Sequence, residues 1–435
     1  INLNELSLQQ PKLLITVMRR DTTEQNKPIH ETVSDFMKGL HIGKIDVNNA
    51  WLRYREEQKT DAYLFAIRSF NLTVDDFRLD SQSFQAEERA YYAKQMRFAA
   101  AKATYQMPDG LYKIEADSLF MSTQEQALLA KQVSYTPLGS AANLSKAKGR
   151  AVTGTSIKVP LLRISGLDYQ QHSLHNRFMA RHVLLSEPSL DAFKDKQSSE
   201  SKGRKPLPHE MVQNIKTPFH IDSVVVRQGY VRYTELVPKA EERGHITFNS
   251  LDATLTNLTN IPEQISIDNP AVIQASTLVM GKAPLSVTIR LPLLQENGYH
   301  TLRGNIGEAN PEIQNSILVP TSFIRIESGH ISRGEFSAEL TNDRANGTMK
   351  VIYSNLSVEM LSKGSGGEQG LGMEILSEVV DWVAIKDSNP MEGEQVRIGN
   401  ITVTRNAQKS VFNYWKNCLA SGFISSMGLK SMAKK

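Results

Sequence analysis

The chain has 435 residues, 40% of them hydrophobic, and a formal net charge of +4. That length suggests two or three domains with enough apolar side chain for a real core, and the near balance of charge excludes the footprint of a nucleic-acid binder. The single cysteine, Cys418, excludes an intrachain disulfide and a cysteine zinc cluster.

No run of about 18 apolar residues occurs, so no segment reads as a membrane-spanning helix. The chain opens on Ile1 instead of Met, which reads as a fragment or processed product with any signal or anchor upstream.

Most of the chain alternates apolar and polar residues with period two, the signature of strands with one buried face. Ile1, Leu3, Leu6 and Leu8 open the pattern before Pro11. A short helix is predicted from Glu31 to Lys38, followed by a strand through Ile42, Ile45 and Val47. That segment recurs: IHETVSDFMKGLHIGKIDVNNAWLRYRE from Ile29 aligns without a gap on PHEMVQNIKTPFHIDSVVVRQGYVRYTE from Pro208. His30, Glu31, His41, Val47, Arg53, Tyr54 and Glu56 reappear as His209, Glu210, His220, Val226, Arg232, Tyr233 and Glu235. Pro11 matches Pro188, and FNLTVDDF from Phe70 resembles LDATLTNL from Leu251. Such a repeat reports architecture before chemistry. It divides the chain into a first unit over 1–161, a second over 162–363 and a tail over 364–435.

Between the copies, KDKQSSESKGRKPLP from Lys194 reads as a polar surface loop. The second copy predicts a helix from Glu210 to Lys216 and a strand through Ile221, Val224 and Val226. Leu285, Val287, Ile289, Leu291 and Leu293 form the clearest alternating strand. Phe323, Phe336, Ala338 and Leu340 mark later strands, and Met349, Val351 and Tyr353 another. Asp109-Gly110, Asn297-Gly298, Ser328-Gly329 and Asn346-Gly347 read as turns. SKGSGGEQGLG from Ser362 reads as a flexible connector, and Met373 to Ile385 as a helix. The last helix runs from Ser410 to about Leu429. Its Phe412, Trp415, Leu419 and Phe423, with lysines nearby, suit either a membrane interface or the end of a sheet.

Chemistry is sparse. His172, His175 and His182 lack companion carboxylates at ligand spacing, so no metal is assigned. His30-Glu31 and His209-Glu210 sit at helix starts, where a glutamate favours the helix dipole. Tyr54 with Glu56, and Tyr233 with Glu235, share one strand face and read as a strand-end tyrosine and a carboxylate that satisfies a neighbouring backbone group or Arg53 and Arg232. The glycines from Gly364 to Gly372 lack phosphate-loop spacing. No catalytic residue, metal or cofactor is assigned, and the chain reads as no enzyme.

IKVPLLRISGLDYQQHSLHNRFMARHVLLSEPSLDAFKDK, FHIDSVVVRQGYVRYTEL with GHITFNSLDATLTNLTN, NSILVPTSFIRIESGHISRGEFSAEL and SVFNYWKNCLASGF together resemble the C-terminal part of AsmA-like proteins of the Bacteroidetes type. The resemblance implies a periplasmic body, an inner-membrane anchor upstream, and kinship with TamB-like and bridge-like lipid-transfer proteins. It implies curled antiparallel sheets with an apolar inner groove for acyl chains, and it offers no catalytic residues. The expected fold is therefore mostly β, with large curled antiparallel sheets in two repeated units and a few short helices. The expected function is binding or conduction of phospholipid, or another acyl-chain lipid, in outer-membrane maintenance. Expected lining residues are Ile42, Ile45, Val47, Ile221, Val224, Val226, Leu285, Val287, Ile289 and Leu291, with membrane contact through the last helix. The rival is a structural or interaction scaffold of closed β sandwiches.

Overall fold

The computed structural model describes residues 1–17, 28–33, 36–37, 39–56, 64–149, 152–196, 203–238, 240–361 and 385–429. The chain is mostly β, with short helices. It forms two compact units, one of Ile1–Leu138, Ser156–Pro188 and Thr217–Val224, the other of Gly139–Thr155, Ser189–Lys216 and Val225–Lys435.

The first unit begins with β1 (Asn2–Gln9) and β2 (Lys12–Val17), then α1 (Ile29–Thr32), β3 (Leu40–Glu56) and β4 (Phe65–Leu79). After α2 (Ser81–Gln85) come β5 (Ala93–Gln106), β6 (Tyr112–Ala116), β7 (Ser118–Ser122) and β8 (Ala127–Pro137). The unit also holds β9 (Thr153–Ser165) from Ser156 on, α4 (Tyr169–His175) and β10 (Phe178–Ser186). Neighbours from β3 to β5 pair antiparallel, as do β5 with β6 and β7, and β8 with β6, β7 and β9. β9 pairs antiparallel with β10.

The mostly antiparallel arrangement expected gives way to parallel pairing at the start of each copy. β1 and β2 both run parallel to β3. In the second unit β11 (Ser189–Asp195) runs parallel to β12 (Phe219–Leu236). A parallel pair needs a crossover connection, and the repeated short helices, α1 and α5 (Pro208–Gln213), lie within those crossovers. The registers coincide: Lys12 faces Trp51 in the first copy, and Ser189 faces Tyr230 in the second.

The bulges coincide as well. Gln10, Asn49, Ser69 and Asp76 have positive φ, and so do Glu187, Gln228, Ser250 and Asn257 at the matching places. The Asn49 N–H donates to Asn71 Oδ1 at 2.8 Å, and the Gln228 N–H donates to Asp252 Oδ1 at 3.2 Å. The doubled sequence is thus a doubled structure, kinks and side-chain braces included.

The second unit continues with α3 (Ala141–Lys148), β13 (Gly244–Thr259), β14 (Ala271–Val279), β15 (Ala283–Leu291) and β16 (His300–Ile306). It ends with α6 (Asn315–Ser322), β17 (Ile324–Leu340), β18 (Arg344–Met360), β19 (Ile398–Thr404) and α7 (Val411–Ser426). Strands β13 to β19 form an antiparallel run in chain order. The main core lies here: Ile289, Leu302, Phe336, Met349 and Ile401 from the strands pack with Val411, Tyr414 and Cys418 from α7.

Two expected turns lie inside strands. Ser328-Gly329 forms an irregularity in β17, and Asn346-Gly347 pairs with β17 within β18. At Gly347 a Cβ would stand 2.1 Å from Ser337 O, so glycine there serves close strand approach instead of a turn. The helix expected from Glu31 to Lys38 forms one turn, Ile29–Thr32, with 34–35 and 38 outside the described residues. The helix expected over Met373 to Ile385 and the glycine connector fall outside them too, apart from the final Ile385.

Candidate functional site

Alternation sends Ile45 and Val47 of β3 to one side, while Ile42, at odd spacing from both, is buried outside their cluster. Without correction, the residues after Val47 would change sides. The bulge at Asn49 inserts the extra residue that returns Ala50 and Leu52 to that side. The face then extends strand by strand through paired positions. Val47 faces Leu72, Leu72 faces Phe98, Phe98 faces Met121, Met121 faces Leu128, Leu128 faces Ile164, and Ile164 faces Val183. A second row runs through Ala50, Phe70, Ala100, Leu119, Ala130, Leu162 and Leu185. Two apolar rows thus cross seven strands of one unit.

The reverse side carries charge. Thr73 Oγ1 donates to Asp46 Oδ1 at 3.1 Å, Arg97 lies 3.6 Å from Glu125, and Lys102 lies 3.8 Å from Glu115. Asp76 gathers Arg78 and Arg89. Burial works against its charge, yet these guanidiniums hold the carboxyl down at about 2.

What covers the rows differs along them. Val47, Ala50, Ile67, Phe70 and Ala100 form a cluster whose packed neighbours, Ile45, Leu52, Phe65, Leu72, Phe98, Ala103 and Leu119, all come from strands. Among the described residues no helix contributes a second layer there. At the far end, Leu167 and Tyr169 of the α4 segment join Ala90 and Ala180 against Met121, Leu128 and Ile164. Most row members beyond the β3–β5 cluster stay half-buried.

In the second unit the corresponding side of the sheet is roofed. Trp415, Leu419 and Phe423 of α7 pack against the core, and only Phe412 points outward, with 73% exposed. Of the four residues offered to a membrane interface, three are therefore spent on the fold, because the apolar stripe of α7 is what covers β18 and β19. Gly399 permits it: a Cβ there would stand 2.1 Å from Gly422 O. Ser425 Oγ and Ser421 Oγ accept the N–H groups of Asn400 at 2.9 Å and Thr402 at 3.2 Å, so the helix also fastens to β19. On β15, Ile289 and Leu291 are buried, while Leu285 and Val287 stay partly open against the core. Ile221, which belongs to the first unit, joins the small cluster near Ala180. Val224 and Val226 are half-buried.

The residues with chemical potential are committed elsewhere. His172 Nδ1 and Tyr91 OH are 2.8 Å apart, and His182 Nδ1 and Ser223 Oγ 2.7 Å apart. Glu210 Oε2 accepts the Leu207 N–H at 2.8 Å, which caps α5. Glu235 is fully buried, accepts Tyr233 OH at 2.7 Å and has Lys196 Nζ 2.8 Å from its other oxygen. Among the described residues no three His, Cys, Asp or Glu side chains come together as a metal site. Burial pushes the Cys418 thiol up to about 12, far from a nucleophile.

Leu72, Phe98, Met121, Leu128, Leu162 and Ile164 were not among the residues expected to line a site. Period two in NLTVDDF, KQMRFAA, SLFMS, ALLA and LLRIS carries the signal for them. No protein-family model matches the chain and no curated protein matches it. No described helix is long and apolar enough to cross a membrane.

Proposed function

We propose that this chain is a non-enzymatic lipid-binding protein of the AsmA-like type, acting in the periplasm in outer-membrane maintenance, with acyl chains lying along the apolar rows of the first unit. The observation that carries this reading is the strand-only cluster around Val47, Phe70 and Ala100, continued across β7 to β10 by half-buried Leu, Met, Ile and Val. An apolar sheet face usually gains a second layer of helix or sheet. A hydrocarbon tail supplies such a layer at roughly 0.8 kcal/mol per methylene buried. Ten methylenes then contribute about 8 kcal/mol before ordering costs, and no single side chain fixes the tail in one register. A reaction needs converging titratable groups, whereas these rows hold none.

The second reading, a scaffold whose faces are closed by protein, draws on α7, which roofs the second unit. Site-specific photocrosslinking separates the two. A photoreactive phenylalanine replacing Phe98 should label added phospholipid on its acyl chain, and one replacing Arg97, on the reverse side, should not. Equal labelling from both positions, or none from Phe98, would falsify the lipid reading.

A further inference from the structure

β15 carries opposite characters on its two sides. Leu285, Val287, Ile289 and Leu291 face the core, whereas Ser286, Thr288 and Arg290 face the other way. On that other side Arg290 stands opposite Thr301, and Arg303 stands opposite Thr288 on the neighbouring strand. The two arginines are thus diagonal neighbours, about 7–8 Å apart at the backbone. They border a cleft of about 360 Å³ lined by Arg290, Arg303, Tyr299, Thr301 and the apolar walls Ile267, Pro270 and Pro292.

Every polar side chain in this cleft can donate. Arginine presents only donors, and the tyrosine and threonine hydroxyls each add one. Among the described residues, none of the four side chains has an ion pair or hydrogen bond, although this chain pairs many of its other charges. Glu339 stands across Thr301 on β17 and pairs with neither arginine. Two unneutralised guanidiniums and two free hydroxyls beside rigid proline walls are the donor set for a multiply charged oxyanion. A carboxylate carries a single charge against two guanidiniums, whereas a phosphate monoester has three terminal oxygens and close to two charges. The cleft size is at the lower end of small-molecule sites and suits a glycerol- or sugar-sized ester.

We propose that the Arg290–Arg303 cleft binds a phosphate monoester. The site lies on the reverse side of β15 from the apolar face and does not depend on lipid binding to the first unit.

Titration calorimetry on the full chain tests this with inorganic phosphate, glycerol 3-phosphate and dihexanoyl phosphatidic acid below its micelle concentration. Glycerol 3-phosphate should bind, and the double variant Arg290→Gln/Arg303→Gln should lose at least tenfold in affinity. Both arginines are exposed, so the thermal midpoint of that variant should match the parent. Arg325→Gln, an exposed arginine paired with Glu359, should bind like the parent. Phosphatidic acid binding at least tenfold tighter than glycerol 3-phosphate identifies a lipid headgroup as the source, and equal affinity identifies a soluble ester. No heat with any of the three probes, or parental affinity in the double variant, overturns the proposal.

Discussion

Trp415 and Gly298 fix the state of His300. The indole N–H can only donate, and it lies 3.0 Å from Nε2, so that nitrogen must keep its lone pair. The Gly298 carbonyl, 2.8 Å from Nδ1, can only accept, so Nδ1 carries the proton. The neutral ring is thereby required, and burial pulls its pKa down, with His209 and Arg405 adding repulsion. Burial lowers His209 likewise, although Glu210 beside it works the other way and Arg204 and Arg405 reinforce the shift. Gly298 makes this packing feasible, since a Cβ there would stand 2.7 Å from His209 Cε1. Both histidines have folded pKa values below the ordinary 6.5. The unfolded chain therefore protonates first, and their contribution is intact above that pH and lost as pH falls below it. Asp76, lowered from 3.8 to about 2, behaves the same way in a lower window, its contribution being lost as pH falls from about 4 towards 2. Hydrogen exchange should show the second unit beginning to lose protection as pH falls below 6.5, while the first unit holds until below about pH 4. Uniform loss across both units would contradict this assignment. The helix-start role of Glu210 and the shared face of Tyr233 and Glu235 were legible from spacing alone. Their partners Leu207 and Lys196 were not, because loop and sheet place those groups.

At the scale of elements, α7 is the part whose fate sequence left open. Its apolar spacing is visible in the chain, yet an apolar stripe looks the same whether it meets lipid or protein. Gly399 and Gly422 resolve the matter through close approach, which no hydrophobic periodicity reports. Gly399→Ala places a methyl against the Gly422 carbonyl and should cost about 1–3 kcal/mol, as overpacking does. The urea midpoint of the full chain should fall, with fluorescence of Trp415 showing earlier exposure. An unchanged midpoint would mean that α7 does not bear on the sheet as described. The parallel entry strands were also illegible, since alternation is equally compatible with either direction. Pro11 and Pro188, matched between copies, were the one trace of the break between the two short strands. The repeated bulges at Asn49 and Gln228 left no composition signal either, for neither residue is glycine.

Across the whole molecule, the sequence reading of a mostly β, twice-built chain rests on features that backbone physics makes readable: period two, and copies that align without gaps. Whether a second layer covers an apolar face depends on distant segments, and period two is silent about that. In the second unit α7 supplies the layer, whereas in the first unit the rows from Val47 to Val183 meet mainly other strands. What lies on those rows in the native protein therefore decides between lipid and scaffold. Native mass spectrometry of the full chain, purified without detergent, answers this most directly when run beside a Leu72→Glu/Phe98→Glu variant with an unchanged far-UV spectrum. Retained phospholipid on the parent, reduced at least fivefold in the variant, is the predicted result. A lipid-free parent, or equal lipid on both proteins, contradicts the account.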